Sequence, residues 1–358
     1  MKYLVCGNYG VENVGDECIA KGIENLLKFK DSEASVVLMG KGNLLPFGIR
    51  TFIKSIFNPS RWIHPISLIR ACDHFILGGG GLFTDEERPL TGFFWAMQGV
   101  VASILIKKQV TVLGVSCGSM GIISRLFTRI LFKRAKNVYC RDDHSVAIAK
   151  KLGAKNAVLC PDMAVYFFTS NAHIDAKKNS SEKVAVFILR DYKNICNNTI
   201  TNFVRMIGYI YSKYGFRTML LDFQNDSKRT DGLLSKIIVQ NSNKNIISIH
   251  QILRNLNGLS SVLRNAEFVV SMRYHGGLIS LIENIPFISI NYMQKSSNFW
   301  RRFDGIVTVS LDEFSKSTFS LESMLSCCVD SEYRKLVERY SNEYQSFAES
   351  FKSNDLLA

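Results

Sequence analysis

Short apolar runs alternate with longer stretches whose apolar side chains recur at helical spacing, from one end of the chain to the other. A parallel strand buried on both faces reads as a continuous apolar run, and its crossover helix shows one apolar stripe. The alternation therefore predicts repeated βα units. In the first half the pattern places strands at Lys2–Cys6, Ser35–Met39, His74–Leu77, Val110–Val115, Val138–Cys140 and Ala157–Leu159. Helices are predicted between them at Glu17–Phe29, Thr91–Lys107, Ile122–Ala135 and Asp143–Leu152. A second alternation opens with the strand Val184–Leu189. It continues through a helix at Thr199–Tyr214, a strand at Thr218–Leu221, a helix at Gly232–Gln240, a strand at Ile246–Ser248 and a helix at Leu256–Arg264. A strand at Glu267–Ser271, a helix at Gly276–Glu283 and a strand at Phe287–Ile290 follow.

Residues 169–183 are polar, rich in turn formers and aperiodic, which marks a linker. The division expected is an α/β domain over 1–168, the linker over 169–183, a second α/β domain over 184–330 and a C-terminal helical segment over 331–358. The fold class is α/β: two doubly wound Rossmann-like domains with a cleft between the carboxyl ends of their sheets, where ligands of open α/β folds bind.

The 358 residues, 47% apolar and 21% charged, suffice for two sizeable cores. The longest apolar stretch, Phe93–Ile106, is too short to span a bilayer and is interrupted by Gln98 and Gly99. Strand-like Tyr3–Cys6 starts almost at once, so no signal peptide is expected. Nine scattered cysteines without paired ligand spacing fit a reducing cytosol, and no metal site is expected. The net charge of +13 is uneven: Lys107–Arg141 contains no acid, and Lys41–Arg70 contains only basic charges, interleaved with Phe47, Phe52, Phe57 and Trp62. Such stretches form either a solvated basic face or a surface for anionic phospholipid or a lipid diphosphate. A nucleic-acid partner is not expected, because no nucleic-acid-binding motif is present.

The most informative run is Ser271-Met-Arg-Tyr-His-Gly-Gly277, placed at a strand-to-helix turn. There Arg273, the first amides of the helix and its dipole can converge on one anion, with His275 beside them and Gly276 and Gly277 admitting a ligand to the backbone. Arg190, at the end of another strand of the same half, would complete a clamp for a dianion, with Lys295 as a third cation. In the first half, Gly7-Asn-Tyr-Gly10 and Asn13-Val-Gly-Asp-Glu17 follow a strand without the spacing of a dinucleotide fingerprint. Asp16 is either a helix cap or, with Asn13, a contact to substrate hydroxyls. Gly78–Gly81 reads as a ligand-facing loop containing Gly79 and Gly80, followed by Thr84 and Asp85 as polar contacts. Asp142 and Asp143 read as helix-terminal acids, and Asp162 as a strand-end acid facing the acceptor.

Taken in order, these motifs resemble the polysaccharide pyruvyl transferase family. The matching stretches are Gly7–Glu17, Gly78–Asp85, Arg141–Ser145, Pro161-Asp162, Arg190, and Arg273-Tyr-His275 followed by Ile285–Tyr292. The resemblance implies a two-domain, glycosyltransferase B-like enzyme that transfers pyruvate from phosphoenolpyruvate (PEP) to a hexose of a cell-surface glycan or its lipid-linked precursor, as a cyclic ketal. PEP is then a donor substrate, and no cofactor is implied. By position, Arg273 and His275 would bind or activate PEP and Arg190 would hold its phosphate or carboxylate, with Gly276 and Lys295 beside them. Asn13, Asp16, Gly79, Gly80, Thr84, Asp85 and Asp162 would serve the acceptor. Tyr274 stands where an aliphatic residue is commoner, and Ser116-Cys-Gly-Ser119 replaces a glycine-proline type of turn. A cytoplasmic enzyme, peripheral at the inner face of the membrane, is expected. Two other readings fit the same residues: a nucleotide-sugar-dependent glycosyltransferase, and a noncatalytic scaffold on the membrane.

Overall fold

The computed structural model describes residues 1–170, 183–192, 195–226, 229–243, 247–251 and 256–353. Most of the expected linker, and Ile246 of the expected strand Ile246–Ser248, lie outside the described residues. The chain forms two compact units. One comprises Met1–Val11, Asp16–Phe167 and the chain from Phe347, the other Glu12–Gly15 and Phe168–Ser346.

The first unit runs β1 (Lys2–Cys6), α1 (Val14–Lys30), β2 (Ser35–Met39), α2 (Ile49–Phe57), α3 (Ser60–Ala71), β3 (His74–Phe83) and α4 (Thr91–Val100). A π-helical turn at Val101–Leu105 follows, then β4 (Gln109–Cys117), α5 (Ile122–Arg134), β5 (Asn137–Cys140), α6 (Asp143–Lys151), β6 (Ala157–Leu159) and α7 (Val165–Ser170). All six strands are parallel, in the order β2-β1-β3-β4-β5-β6. The central strands β3 and β4 are buried along nearly their whole length, because helices cover both faces. The strand order reverses between β1 and β3, and there Gly7, just after β1, lies against Gly78 within β3.

The second unit runs β7 (Val184–Ile188), α8 (Asn197–Tyr214), β8 (Arg217–Asp222), β9 (Asn225–Asp226), β10 (Arg229–Thr230), α9 (Gly232–Gln240), β11 (Ile247–Gln251) and α10 (Asn257–Arg264). Then come β12 (Ala266–Ser271), α11 (Tyr274–Ile282), β13 (Phe287–Asn291), α12 (Gln294–Trp300), β14 (Thr308–Ser310), α13 (Leu311–Phe314), α14 (Leu321–Val329) and α15 (Ser331–Ser353), whose residues from Phe347 belong to the first unit. Its parallel sheet has the order β11-β8-β7-β12-β13-β14, with the reversal between β7 and β12. β9 and β10 form a separate two-stranded antiparallel ribbon. Tyr333, Val337, Tyr340, Tyr344, Ala348 and Phe351 make the buried stripe of α15 at helical spacing.

The two sheets and their switch points are those of a glycosyltransferase B-like α/β protein. One expectation fails locally. Gly78–Gly81 is not a loop but part of β3, and Gly78, Gly79 and Gly80 are buried. Gly79 and Gly80 have φ of 78° and 83°, and a Cβ on Gly79 would lie 2.0 Å from Cγ2 of Ile19. The glycines let α1 press onto a kinked strand, and the register shift between Gly80 and Phe83 records the kink.

Candidate active site

Ile188 of β7 is paired in register with Ser271 of β12. Arg190 and Arg273, each two residues further on, therefore leave adjacent strands at one level beside the switch point. Ser271 shapes the turn: its hydroxyl accepts from Arg273 N at 3.1 Å and donates to Arg273 O at 2.7 Å. Arg273 then caps α11 in an extended conformation, and His275 sits in that helix's first turn, where the positive end of the dipole lies.

Arg273 is buried, and its side chain is held on one edge. Its Nε donates to Asp231 Oδ2 at 3.1 Å, and Nη2 donates to Asp231 Oδ1 at 2.5 Å and to Gln224 Oε1 at 3.1 Å. Nη1 takes part in none of these bonds. The β9–β10 ribbon supplies both partners: Gln224 precedes it, Asp231 follows it, and Asp231 N donates to Gln224 O at 3.0 Å. Asp231 stands at the N-terminus of α9 yet makes no side-chain cap there, because its carboxylate turns to the guanidinium. Neither Gln224 nor Asp231 is among the candidates drawn from the sequence, where an acid at a helix start is an ordinary feature. Nearby Asp222 has its pKa raised by burial and by the charge of Asp231, against a lowering hydrogen bond from Ser235.

The segment Glu12–Gly15 closes over this corner. Asn13 forms an antiparallel bridge with Gln224, Val14 N donates to Phe223 O at 2.9 Å, and Asn225 N donates to Glu12 O at 3.3 Å. Asn13 Oδ1 accepts from Gly15 N at 3.1 Å, which tightens the turn. A Cβ on Gly15 would lie 2.0 Å from Nδ1 of His275, so only glycine lets the backbone lie against that ring. Asn13, expected with the acceptor residues, instead packs in the unit that carries Arg273. Arg190 completes the strand-end row: its Nη1 donates to Tyr292 Oη at 2.5 Å, its guanidinium lies 4.9 Å from the Tyr292 ring centre, and Tyr192 packs on that ring at 4.6 Å. Lys295 falls in α12, and its side chain lies outside the described residues.

Gly276 and Gly277 serve packing within the unit rather than an open approach to the backbone. A Cβ on Gly276 would meet Ser271 Oγ at 2.2 Å, and one on Gly277 would meet the Trp300 ring at 2.7 Å. Tyr274 anchors the same turn from behind, with its ring 4.9 Å from Phe299 and 6.2 Å from Trp300. The aromatic residue at this position thus belongs to the core that fixes α11.

In the first unit Asp16 and Gly80 come together at the switch point: Asp16 Oδ1 is 3.6 Å from the position of a Gly80 Cβ, and Asp16 Oδ2 accepts from Asn8 Nδ2 at 2.7 Å. The other expected acceptor residues are tied to their own chain. Asp85 Oδ1 accepts from Gly92 N at 2.9 Å and Ser124 Oγ at 3.0 Å, and Oδ2 from Gly121 N at 2.9 Å, so it joins the starts of α4 and α5. Thr84 Oγ1 donates to Ser119 O at 3.4 Å and accepts from Glu86 N at 3.3 Å. Asp162 is fully buried against Arg141 Nη1 at 2.6 Å. Arg141 Nε donates to Ser116 Oγ, which donates to Asp142 Oδ2, and Asp142 caps α6 by accepting from Ser145 N at 2.8 Å. Ser116, in the turn that departs from the usual glycine-proline form, is thus a member of a satisfied buried network.

Among the described residues no cluster of His, Cys, Asp and Glu could hold a metal ion, and no helix is long and apolar enough to cross a membrane. No curated protein is a significant sequence match to this chain. Solved structures share the fold. A co-structure of S. aureus MnaA with UDP superposes with a TM-score of 0.65 at 10% identity, covering 96% of this chain and 92% of that one. UDP-GlcNAc 2-epimerase from Neisseria meningitidis bound to UDP-GlcNAc gives 0.59 at 11%, covering 99% and 100%. The enzyme of the same name from Methanocaldococcus jannaschii gives 0.59 at 12%, covering 97% and 100%. The model of one sequence family, polysaccharide pyruvyl transferase, matches residues 13–294, a span that includes Asn13, Asp16, Arg190, Asp231, Arg273 and His275. The chain belongs to the polysaccharide pyruvyl transferase family.

Proposed function

We propose that the protein transfers pyruvate from PEP to two hydroxyls of one hexose, on a surface glycan or its lipid-linked precursor. The observation that carries this reading is the corner of Arg273 and His275 at the switch point of the second sheet. Asp231 and Gln224 fix the guanidinium along one edge, and Arg190 follows the end of the adjacent strand.

PEP carries about three negative charges. A planar guanidinium, a second arginine and a helix N-terminus match its carboxylate and phosphate. A histidine in the same turn suits proton transfer near neutral pH. Delivery of a proton to the methylene carbon leaves positive charge at C2, where the first sugar hydroxyl forms a C–O bond and gives up its proton. The C2–phosphate oxygen bond then breaks, phosphate leaves, and the second hydroxyl closes the ketal while its proton goes to phosphate. Arg273 and Arg190 offset the donor charge, and His275 delivers the proton or holds the phosphate. Asp16, beside Gly80 in the first unit, supports the reading as a carboxylate able to receive a hydroxyl proton.

The UDP and UDP-GlcNAc in the structural neighbours favour a second reading, a nucleotide-sugar glycosyltransferase. Calorimetric titration with PEP and with UDP-GlcNAc separates the two. The proposal expects PEP to bind the wild type and to lose binding in Arg273→Ala, with phosphate release abolished in His275→Ala. UDP-GlcNAc binding without PEP binding sinks it.

A further inference from the structure

Helix α2 is amphipathic with the wrong face outward. Its buried side is Ser55 with half-buried Phe52, whereas Ile49, Ile53, Ile56 and Phe57 form a stripe that is 46%, 51%, 63% and 85% exposed. Arg50 and Lys54 border that stripe on the solvent side. The same character continues on its neighbours. Phe52 packs on Trp62 of α3 and on Phe93 and Phe94 of α4, and Phe93 packs on Phe127 of α5, so the four helices form one layer. On that layer Ile63 of α3 is 68% exposed, and Ile122 in the first turn of α5 is 89% exposed. Arg125, Arg129, Lys133 and Arg134 follow along the exposed side of α5. Helices α2 to α5 contain no acidic residue. A groove of about 550 Å³ between α5 and α6 shares Ile122, Arg125, Leu126 and Arg129 with this face, and Lys151 stands on its other wall.

We infer that this layer docks on an anionic bilayer, with the apolar stripe of α2 and the start of α5 inserted at the interface and the cations set against lipid phosphates. A solvated basic face accounts for the arginines and lysines but not for a row of exposed isoleucines capped by Phe57. A protein partner of ordinary charge would leave the acid-free layer unmatched, whereas an anionic leaflet complements both components. Such docking would hold the enzyme beside acceptors carried on lipid. It does not depend on which donor the second unit takes.

The test is sedimentation of the full-length protein with vesicles of phosphatidylcholine alone, or with about one-third phosphatidylglycerol. The expected result is binding to the anionic vesicles only, weakened by salt. The double substitution Ile53→Ser/Phe57→Ser lowers the partition constant at least about tenfold, and Arg125→Gln/Arg129→Gln lowers it about 30-fold. Unchanged thermal unfolding of these surface variants shows that the fold is kept. Equal binding to neutral vesicles, or undiminished binding of the Ile53/Phe57 variant, overturns the inference. So does self-association or nucleic-acid retention in place of vesicle binding. PEP titration of the same variants gives the wild-type isotherm. Failure of that titration in every form, with vesicle binding intact, would remove the donor assignment and leave the docking surface standing.

Discussion

Asp231→Asn removes one charge from the Arg273 corner and almost no volume. The ion pair is buried, with side-chain exposures of 6% for Arg273 and 3% for Asp231. Removing one partner of such a pair costs about 3–5 kcal/mol, because the remaining charge is left unpaired. Two features of the site bring the expected loss to about 3 kcal/mol, the low end of that range. The Asn oxygen can still accept from Nη2, while its amide faces Nε donor to donor. The Asp231 carboxylate also repels the charge of Asp222, and relief of that repulsion offsets part of the loss. For a unit of this size the loss corresponds to roughly 6–12 °C in unfolding temperature. Calorimetry and denaturant titration read the stability term. Steady-state kinetics at a temperature where the variant is folded read the second effect. PEP affinity should change little, since the cation remains, whereas kcat should fall about 100-fold as the guanidinium loses its fixed edge. A variant of wild-type stability, or a destabilised one with kcat within about twofold of wild type, would refute the claim that Asp231 orients Arg273.

Three other substitutions report on separate parts of the structure. Gly15→Ala places a methyl group on the His275 ring and is expected to cost about 1–3 kcal/mol and to reduce turnover more than PEP affinity; unchanged kinetics would show that the ring position is irrelevant. Asp85→Ala removes three hydrogen bonds at two helix starts and should cost about 2 kcal/mol in urea unfolding, while the folded fraction keeps its activity; a selective loss of turnover would return Asp85 to the acceptor site. Burial, aided by Lys136, lowers the pKa of His74 from 6.5 to about 4, so it is neutral in the fold while the unfolded chain takes up a proton below 6.5. Its contribution is therefore complete above pH 6.5 and falls, by up to about 1.4 kcal/mol per pH unit, as pH drops toward 4. His74→Gln should flatten that part of the stability profile, and an unchanged slope would contradict the assignment.

Much of this architecture is legible in the sequence because parallel strands covered on both faces must be apolar throughout. β1, β2 and β6 lie where the apolar runs end, and the positions of Arg190 and Arg273 follow from the ends of β7 and β12. The partners of Arg273 are not legible. β9 and β10 are two-residue strands of polar composition, too short for any alternation, and an acid before α9 reads as a cap whether or not it turns away. α2 escapes for the opposite reason: its apolar positions face solvent, and a periodicity argument has no core to assign them to. Gly78–Gly81 misleads because four glycines signal a loop, whereas here the missing side chains make room for Ile19 and Ile23 of α1. The elements between Asn291 and Ser331, among them α12, β14 and α14, carry mixed polar patterns and become clear only from what they pack against.

The most direct test of the central claim is mass analysis of the glycan acceptor pool from the producing cell, incubated with purified protein and either PEP or a nucleotide sugar. Pyruvyl transfer from PEP predicts a PEP-dependent gain of one pyruvate ketal per acceptor with equimolar phosphate release, absent with Arg273→Ala and with His275→Ala. A hexose-sized gain from the nucleotide sugar, or a ketal formed equally well by the Arg273→Ala protein, would contradict it.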